Sequence, residues 1–318
     1  MSPWVAAWWL AWSGSASLAV IPEARLEPEQ VAPTAWYVRG TSGQATLENR
    51  GFNSNAGFVV TDEGVVVIDA LGTPGLGETL LTAIQSITDQ PVRILILTHW
   101  HADHAYGAGA FREAGAEIWV HEGAHDYLDG EAGQARLAER KRSLGELVPQ
   151  DMELLRPDRW LSGDLEFKLG GEEFILRHLG PAHTPEDTVI LARNAGVLFA
   201  GDIIMRGRIP LVGQAPIMDW LEAIDRLLEY HPTVLVPGHG AATPDPETDL
   251  AMTSEYLHFL AREVGCAGRD FLPFDEVYAG VDWNRFESLP GFAEANRANA
   301  WGAYLQGEAG ARLPDCDP

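Results

Sequence analysis

Residues 98–104 read Thr-His-Trp-His-Ala-Asp-His, which places three imidazoles and a carboxylate within a few positions of one another. His99, His101, Asp103 and His104 are ligand types for a divalent metal. Burying all four without one would strand ionisable groups in a low-dielectric interior. Three further residues of the same kinds stand beside glycines near the ends of apolar runs. His183 lies in Gly-Pro-Ala-His-Thr-Pro-Glu-Asp, Asp202 closes Val-Leu-Phe-Ala-Gly-Asp, and His239 sits in Val-Leu-Val-Pro-Gly-His-Gly. Imidazoles and carboxylates without a thiolate form a borderline-to-hard set that suits Zn²⁺ best and tolerates Fe or Mn. Metal binding lowers the pKa of water to about 7, so the chemistry expected is hydrolytic attack on a carbonyl, phosphoryl or sulfuryl centre. The chain has 10 His in all. His121, His125, His178, His231 and His258 fall outside this pattern and are read as structural.

These side chains need strand ends to hold them. The branched aliphatic run from Val92 to Leu97 reads as a buried parallel strand, so the cluster sits at a strand's carboxyl end. His99 and His101 then point the same way from an extended exit, and Asp103 and His104 begin the next helix. Further strands are expected at Phe58, Gly64 to Ala70, and Glu117 to His121, with helices near 76–88 and 105–114. The second half repeats the theme with strands starting at Phe174, Thr188, Val197 and Thr233. A helix from about Asp219 to Tyr230 carries Trp220, Ile224, Leu227 and Leu228 on one face. Residues 130–160 read as a surface insertion whose charged stretch, Gln134 to Arg142, is a solvated helix. Helices around Met252 to Val264 and Phe292 to Leu305 close the chain.

The His-x-His-x-Asp-His motif, followed by a lone His, an Asp and a last His, resembles the metallo-β-lactamase superfamily over roughly residues 36 to 245. That resemblance implies an α/β fold, a four-layered αβ/βα sandwich with a C-terminal helical extension, and the metals at one edge. It implies two Zn²⁺ per chain, one held by His99, His101 and His183, the other by Asp103, His104 and His239, with Asp202 bridging. A hydroxide shared between ions about 3.5–4 Å apart would be the nucleophile. The first metal would polarise the scissile carbonyl and the second would steady the departing anion, with Asp103 passing a proton to the leaving group. Asp69 falls where the superfamily places a carboxylate that holds the ligand loop; its plainer reading is a turn residue. Arg206 and Arg208 follow Asp202 closely enough to clamp a substrate carboxylate or sulfonate, or else are surface charges. Trp100, Tyr106 and Phe52 are expected to line an apolar wall, and segment 40–55 to form a flexible flap.

A class B1 β-lactamase would place Cys where Asp202 stands, so the set resembles glyoxalase II, lactonase and class B3-like sites more closely. The segments Phe274 to Tyr278, Asp282 to Phe286 and Leu289 to Arg297, with Gly201 to Pro210, resemble the exported SoxH-like quinoprotein relay system zinc metallohydrolases. The function expected is therefore dinuclear zinc hydrolysis of a small ester, thioester, lactone or amide. Two other readings remain beside it: a mononuclear iron persulfide dioxygenase, and a metal-binding accessory protein of a periplasmic quinoprotein dehydrogenase system.

The chain has 318 residues, 46% of them hydrophobic, with 33 Gly and 20 Pro, as a loop-rich globular α/β protein would. A formal charge of -24 argues against nucleic-acid binding and leaves a small molecule as the expected substrate. No charge occurs from Pro3 to Pro22, and the apolar Trp4 to Trp12 run passes into Ser17-x-Ala19, a small-x-small cleavage pattern. Residues 1–19 are therefore read as an export leader, 20–245 as the catalytic domain and 246–318 as the helical extension, in a periplasmic or secreted protein. Cys266 and Cys316 are either a disulfide tying down the tail or ordinary thiols.

Overall fold

The computed structural model describes residues 25–316, so the leader expected over 1–19 lies outside the described residues. A first sheet runs in the order β1 to β7: Glu29–Ala32, Ala35–Val38, Ala56–Thr61, Gly64–Ile68, Val92–Ile96, Glu117–His121 and Arg159–Leu161. A second, ordered β12-β11-β10-β9-β8, is built from β8 (Leu165–Leu169), β9 (Glu172–His178), β10 (Thr188–Ala192), β11 (Val197–Met205) and β12 (Val234–His239). Helices α1 (Pro74–Gln85), α2 (Ala102–Ala105), α3 (Ala108–Glu113), α4 (His125–Asp129) and α5 (Glu131–Leu144) accompany the first sheet. With the second go α6 (Ile217–Leu228), α7 (Pro246–Asp249), α8 (Ala251–Leu260), α9 (Cys266–Arg269), α10 (Phe274–Gly280) and α11 (Phe292–Glu308).

Period-two alternation along the buried strands explains the layering. In β4 and β5, Val67 and Leu95 pack outward with Leu76, Leu80 and Phe111 of the helices, whereas Val66, Ile68, Ile94 and Ile96 face inward. There they meet Phe174, Leu176, Ile190 and Phe199 of the second sheet. That sheet's other face, with Leu198 and Ile203, packs on Trp220, Ile224 and Leu227 of α6 and on Tyr256 and Ala303 of the tail. The layers are therefore helix, sheet, sheet, helix, with the tail helices sharing the second outer core.

Strands expected from long apolar runs are present, and β5 pairs in parallel with both β4 and β6. Strands β1, β2, β7 and β8 have no counterpart in the expected set. β1 and β8 are mostly exposed or half-buried, and β7 has only 3 residues, too few for a hydrophobic period to register. The single helix expected over 105–114 is two short ones broken at Gly107. A Cβ there would stand 2.0 Å from the Ala70 carbonyl oxygen, so the chain must hug the loop after β4. The two cysteines are joined: Cys266 and Cys316 form a disulfide across 50 residues of sequence. Among the described residues no helix is long and apolar enough to cross a membrane.

Candidate metal centre

The site lies at the carboxyl ends of β5, β11 and β12 and in the loop between β9 and β10. Leaving β5, the chain bends at Thr98 and His99 instead of running straight on, and is extended at His101, the residue before α2, so Asp103 and His104 fall in that short helix. The pairing of β11 with β12 slips between Phe199 and Gly201. Gly201 takes φ +52°, which favours glycine, and packs on Thr98, whose Oγ1 would lie 2.7 Å from any added Cβ. This bulge brings Asp202 into the centre. Gly238, just before His239, leaves room for it: a Cβ there would sit 2.0 Å from Asp202 Oδ1. In the β9–β10 loop the Asp187 carboxylate accepts from Thr184 N and Oγ1, both at 2.8 Å, fixing the turn that carries His183.

All seven sequence-derived ligand candidates converge. His99, His101, His183 and Asp202 form one group of potential ligand atoms, and Asp103, His104 and His239 form another, each group within 4.8 Å. Asp202 reaches both. Its Oδ2 is 3.4 Å from His183 Nε2 and 3.4 Å from His239 Nε2, while Oδ1 is 3.2 Å from His104 Nε2. Within the first group His101 Nδ1 and His183 Nε2 are 2.9 Å apart.

The outward ring nitrogens are held by the fold. His104 Nδ1 lies 2.9 Å from Asp69 Oδ2, His183 Nδ1 3.0 Å from the Leu211 carbonyl and His239 Nδ1 2.6 Å from the Asn53 carbonyl. His99 Nδ1 is 3.0 Å from Thr98 Oγ1, whose hydroxyl donates to Asp69. An N–H donated outward leaves each Nε2 lone pair facing the centre. His99 Nε2, His104 Nε2 and Asp202 Oδ1 are buried without a hydrogen-bond partner. Buried acceptors left unpaired and aimed at common points fit a divalent cation.

Electrostatics agree. Burial holds His99 and His183 below their ordinary range and lowers His101 to about 3, so these three are neutral and able to ligate. Burial would raise Asp202, but His239 and His104 keep it ionised well below the usual carboxylate range. Asp103 is likewise held low, against burial, by His104, His239 and Arg140. In the metal-free chain His104 moves the other way: Asp202 and Asp69 outweigh its burial and favour its protonated form, whose Nε2 proton a bound cation would displace.

Asp69 is more than a turn residue. It is 3% exposed, takes φ +63°, and accepts from Thr98 N at 2.8 Å as well as contacting His104, tying the loop before His99 to the second group. The substrate contacts expected from sequence divide. Arg208 lines a cavity of about 690 Å³ beside His101, Asp103 and His183. Arg206 does not: its guanidinium donates to the Ala241 and Ala242 carbonyls and braces the turn after β12. Trp100 is 1% exposed and sits in the first outer core, since the strand exit that aims His99 and His101 at the centre turns the residue between them away. Tyr106 is buried in that core too, and Phe52 packs against it rather than lining the cavity. Asn53, Ser54 and Asn55 are not a flap. Asn53 Nδ2 donates to Asp103 Oδ2 at 2.9 Å, Ser54 Oγ donates to the Asp103 carbonyl, and Asn55 Nδ2 donates to Pro237 and Gly240.

Several cavity residues escaped the sequence reading. Tyr127, Arg136 and Arg140 come from the α4–α5 insertion, and Asn299 from α11. The charged stretch 134–142 carried the signal for the two arginines, but its helical period separates them from Leu137 and marks them only as polar.

The profile of the metallo-beta-lactamase superfamily matches residues 49–239, and the chain belongs to that superfamily of metal-dependent hydrolases. The metallo-beta-lactamase IND-1 of Chryseobacterium indologenes is 23% identical over 195 residues, 59% of this chain and 72% of that protein. The hydroxyacylglutathione hydrolase GloC of Haemophilus influenzae is 30% identical over 161 residues, 50% of this chain and 70% of its own length. Among solved structures, the inverting sec-alkylsulfatase Pisa1 from Pseudomonas sp. superposes with a TM-score of 0.67 at 18% identity. That likeness covers 92% of this chain but 52% of the sulfatase, and it concerns the fold alone.

Proposed function

We propose that the chain is a dinuclear zinc hydrolase of a small ester, thioester, lactone or amide. His99, His101 and His183 would hold one Zn²⁺, Asp103, His104 and His239 the other, and Asp202 both. The observation that carries this is the Asp202 carboxylate, whose Oδ2 is equidistant from His183 and His239 at 3.4 Å. Bound zinc supplies a water acidified toward neutral pH and a Lewis acid for the scissile carbonyl. The chain's own groups do the rest. Asp103, kept ionised, opens onto the cavity and is positioned by Asn53, so it can take a proton from the attacking water and deliver it to the leaving group.

Periplasmic or secreted location is part of the same reading, supported by the Cys266–Cys316 disulfide, which persists in oxidising compartments. The SoxH-like placement, and with it association with a quinoprotein dehydrogenase system, rests on the tail segments 274–278, 282–286 and 289–297.

The test is metal content by mass spectrometry on protein purified without added metal, beside hydrolysis of a chromogenic cephalosporin and a thioester panel. The names of two relatives, a β-lactamase and a hydroxyacylglutathione hydrolase, direct that choice. About two Zn per chain with turnover of any member is expected. One Fe per chain with no hydrolysis would sink the reading in favour of a dioxygenase.

A further inference from the structure

The cavity beside the ligand cluster draws three arginines from a chain of formal charge -24. Three arginines line it, and two are removed from solvent. Arg208 is 1% exposed, and its donors reach only carbonyl oxygens, Gly43 at 2.9 Å and Ile209 at 3.4 Å. Among the described residues no carboxylate lies within ion-pair distance of it. Arg140 has a side chain 11% exposed, and its ion pair is a 3.8 Å contact with Glu139. Arg136 is half exposed and pairs with Glu139 as well. Four acids share the lining, and Asp103 belongs to the second group of candidate ligands, where Arg140 helps to keep it ionised. Asp126 and Glu294 are exposed, where water screens them. Glu186 is occupied by the Trp100 N–H, and burial raises its pKa. A guanidinium buried against carbonyls alone is costly, and a ligand oxyanion would repay that cost with charge-assisted hydrogen bonds.

We propose that the cavity selects substrates bearing an oxyanion, a carboxylate or a sulfate-type group, with Arg208 as its anchor and Arg140 as the second cation. The proposal rests on the hydrolase reading for where the reacting bond lies, but the anion site stands on the arginines themselves. The two cations come from different elements, Arg208 from the loop after β11 and Arg140 from α5, and both line the cavity that His101, Asp103 and His183 share.

Three matched thioesters test this with the zinc-loaded full chain: one ending in a carboxylate, one in a sulfonate and one in a neutral methylamide. Anionic members should exceed the neutral one by about tenfold in kcat/KM, carried by KM, and Arg208→Met and Arg140→Met should each remove most of that preference. Arg140→Met, on a half-exposed helix, keeps the test open should Arg208→Met fail to fold. The ratio of carboxylate to sulfonate turnover identifies the oxyanion. Calorimetric titration of the as-purified protein with acetate and with inorganic sulfate, at constant ionic strength, gives a readout without turnover. Saturable binding weakened in either variant supports the anion site even where no thioester is cleaved; the failure then belongs to the hydrolase reading. Equal kcat/KM for charged and neutral members, or anion binding unchanged in both variants, overturns the proposal.

Discussion

Single side chains behind the candidate ligands hold them in place. Asp69 touches no substrate, yet it accepts from Thr98 and contacts His104 Nδ1, so it orients one ligand and anchors the strand exit carrying two others. Asp69→Ala should weaken metal affinity about 10- to 100-fold, measured by competition with a chromophoric chelator; an unchanged affinity would return it to the role of a turn residue. The same shell gives the metal-free protein a pH signature. Burial disfavours protonation of His99, His101 and His183 in the folded chain, whereas unfolded imidazoles take up protons near pH 6.5. Below that pH the unfolded state binds more protons, so stability falls as pH drops, and for His101 this continues down to about 3. His104, raised, has the opposite sign, but it is one group against three. Thermal unfolding in chelator should show Tm falling from pH 7.5 to 5.5; a rise would mean that His104 dominates.

Elements meet the site at points where glycine is required, and these contacts link fold to specificity. On α11, Gly302 packs so closely on the loop after β11 that a Cβ would stand 1.7 Å from the Gly213 carbonyl oxygen. Asn299, one turn earlier, donates to the Pro210 carbonyl and accepts from Val212 N and Gly213 N, so the tail helix braces the cavity wall. Gly302→Ala should therefore cost about 1–3 kcal/mol in denaturant unfolding and raise KM while leaving metal content unchanged. Loss of metal instead would show that the tail supports the ligands directly. At this scale legibility followed hydrophobic period. Strands β3 to β6 and β9 to β12, buried on both faces, read as apolar runs, and α6 read from its stripe of Trp220, Ile224, Leu227 and Leu228, the first three of which are buried. The edge strands β1, β7 and β8 have few buried side chains, and their pairing depends on neighbours distant in sequence.

Over the whole molecule, the chain's end is covalently tied. The Cys266–Cys316 link spans α10 and α11, so it limits how far the unfolded tail can expand. Cys316→Ser should cost about 2–4 kcal/mol in non-reducing denaturant unfolding, and a reducing agent should lower the native chain's midpoint by a matching amount. No difference between oxidised and reduced protein would show that packing alone holds the tail. The global charge also bears on the cavity. A chain at -24 repels anions at long range, so discrimination by Arg208 and Arg140 must act at contact distance, inside the low-dielectric cavity.

The amino-acid sequence alone determined the inventory of candidate ligands and the strands that present it. Metal chemistry restricts residue types, and a buried strand followed by a turn restricts spacing, so His99 to His104, His183, Asp202 and His239 were readable together. Tertiary structure decided what surrounds them. Asn53 meets His239 across 186 positions, and Arg208 meets Gly43 across 165. It also turned Trp100 into the core, gave Arg206 to the turn after β12, and brought Arg140 from a charged helix to the cavity. Local pattern reports whether a side chain faces inside or out; which distant group it faces is set only when the two sheets close on each other.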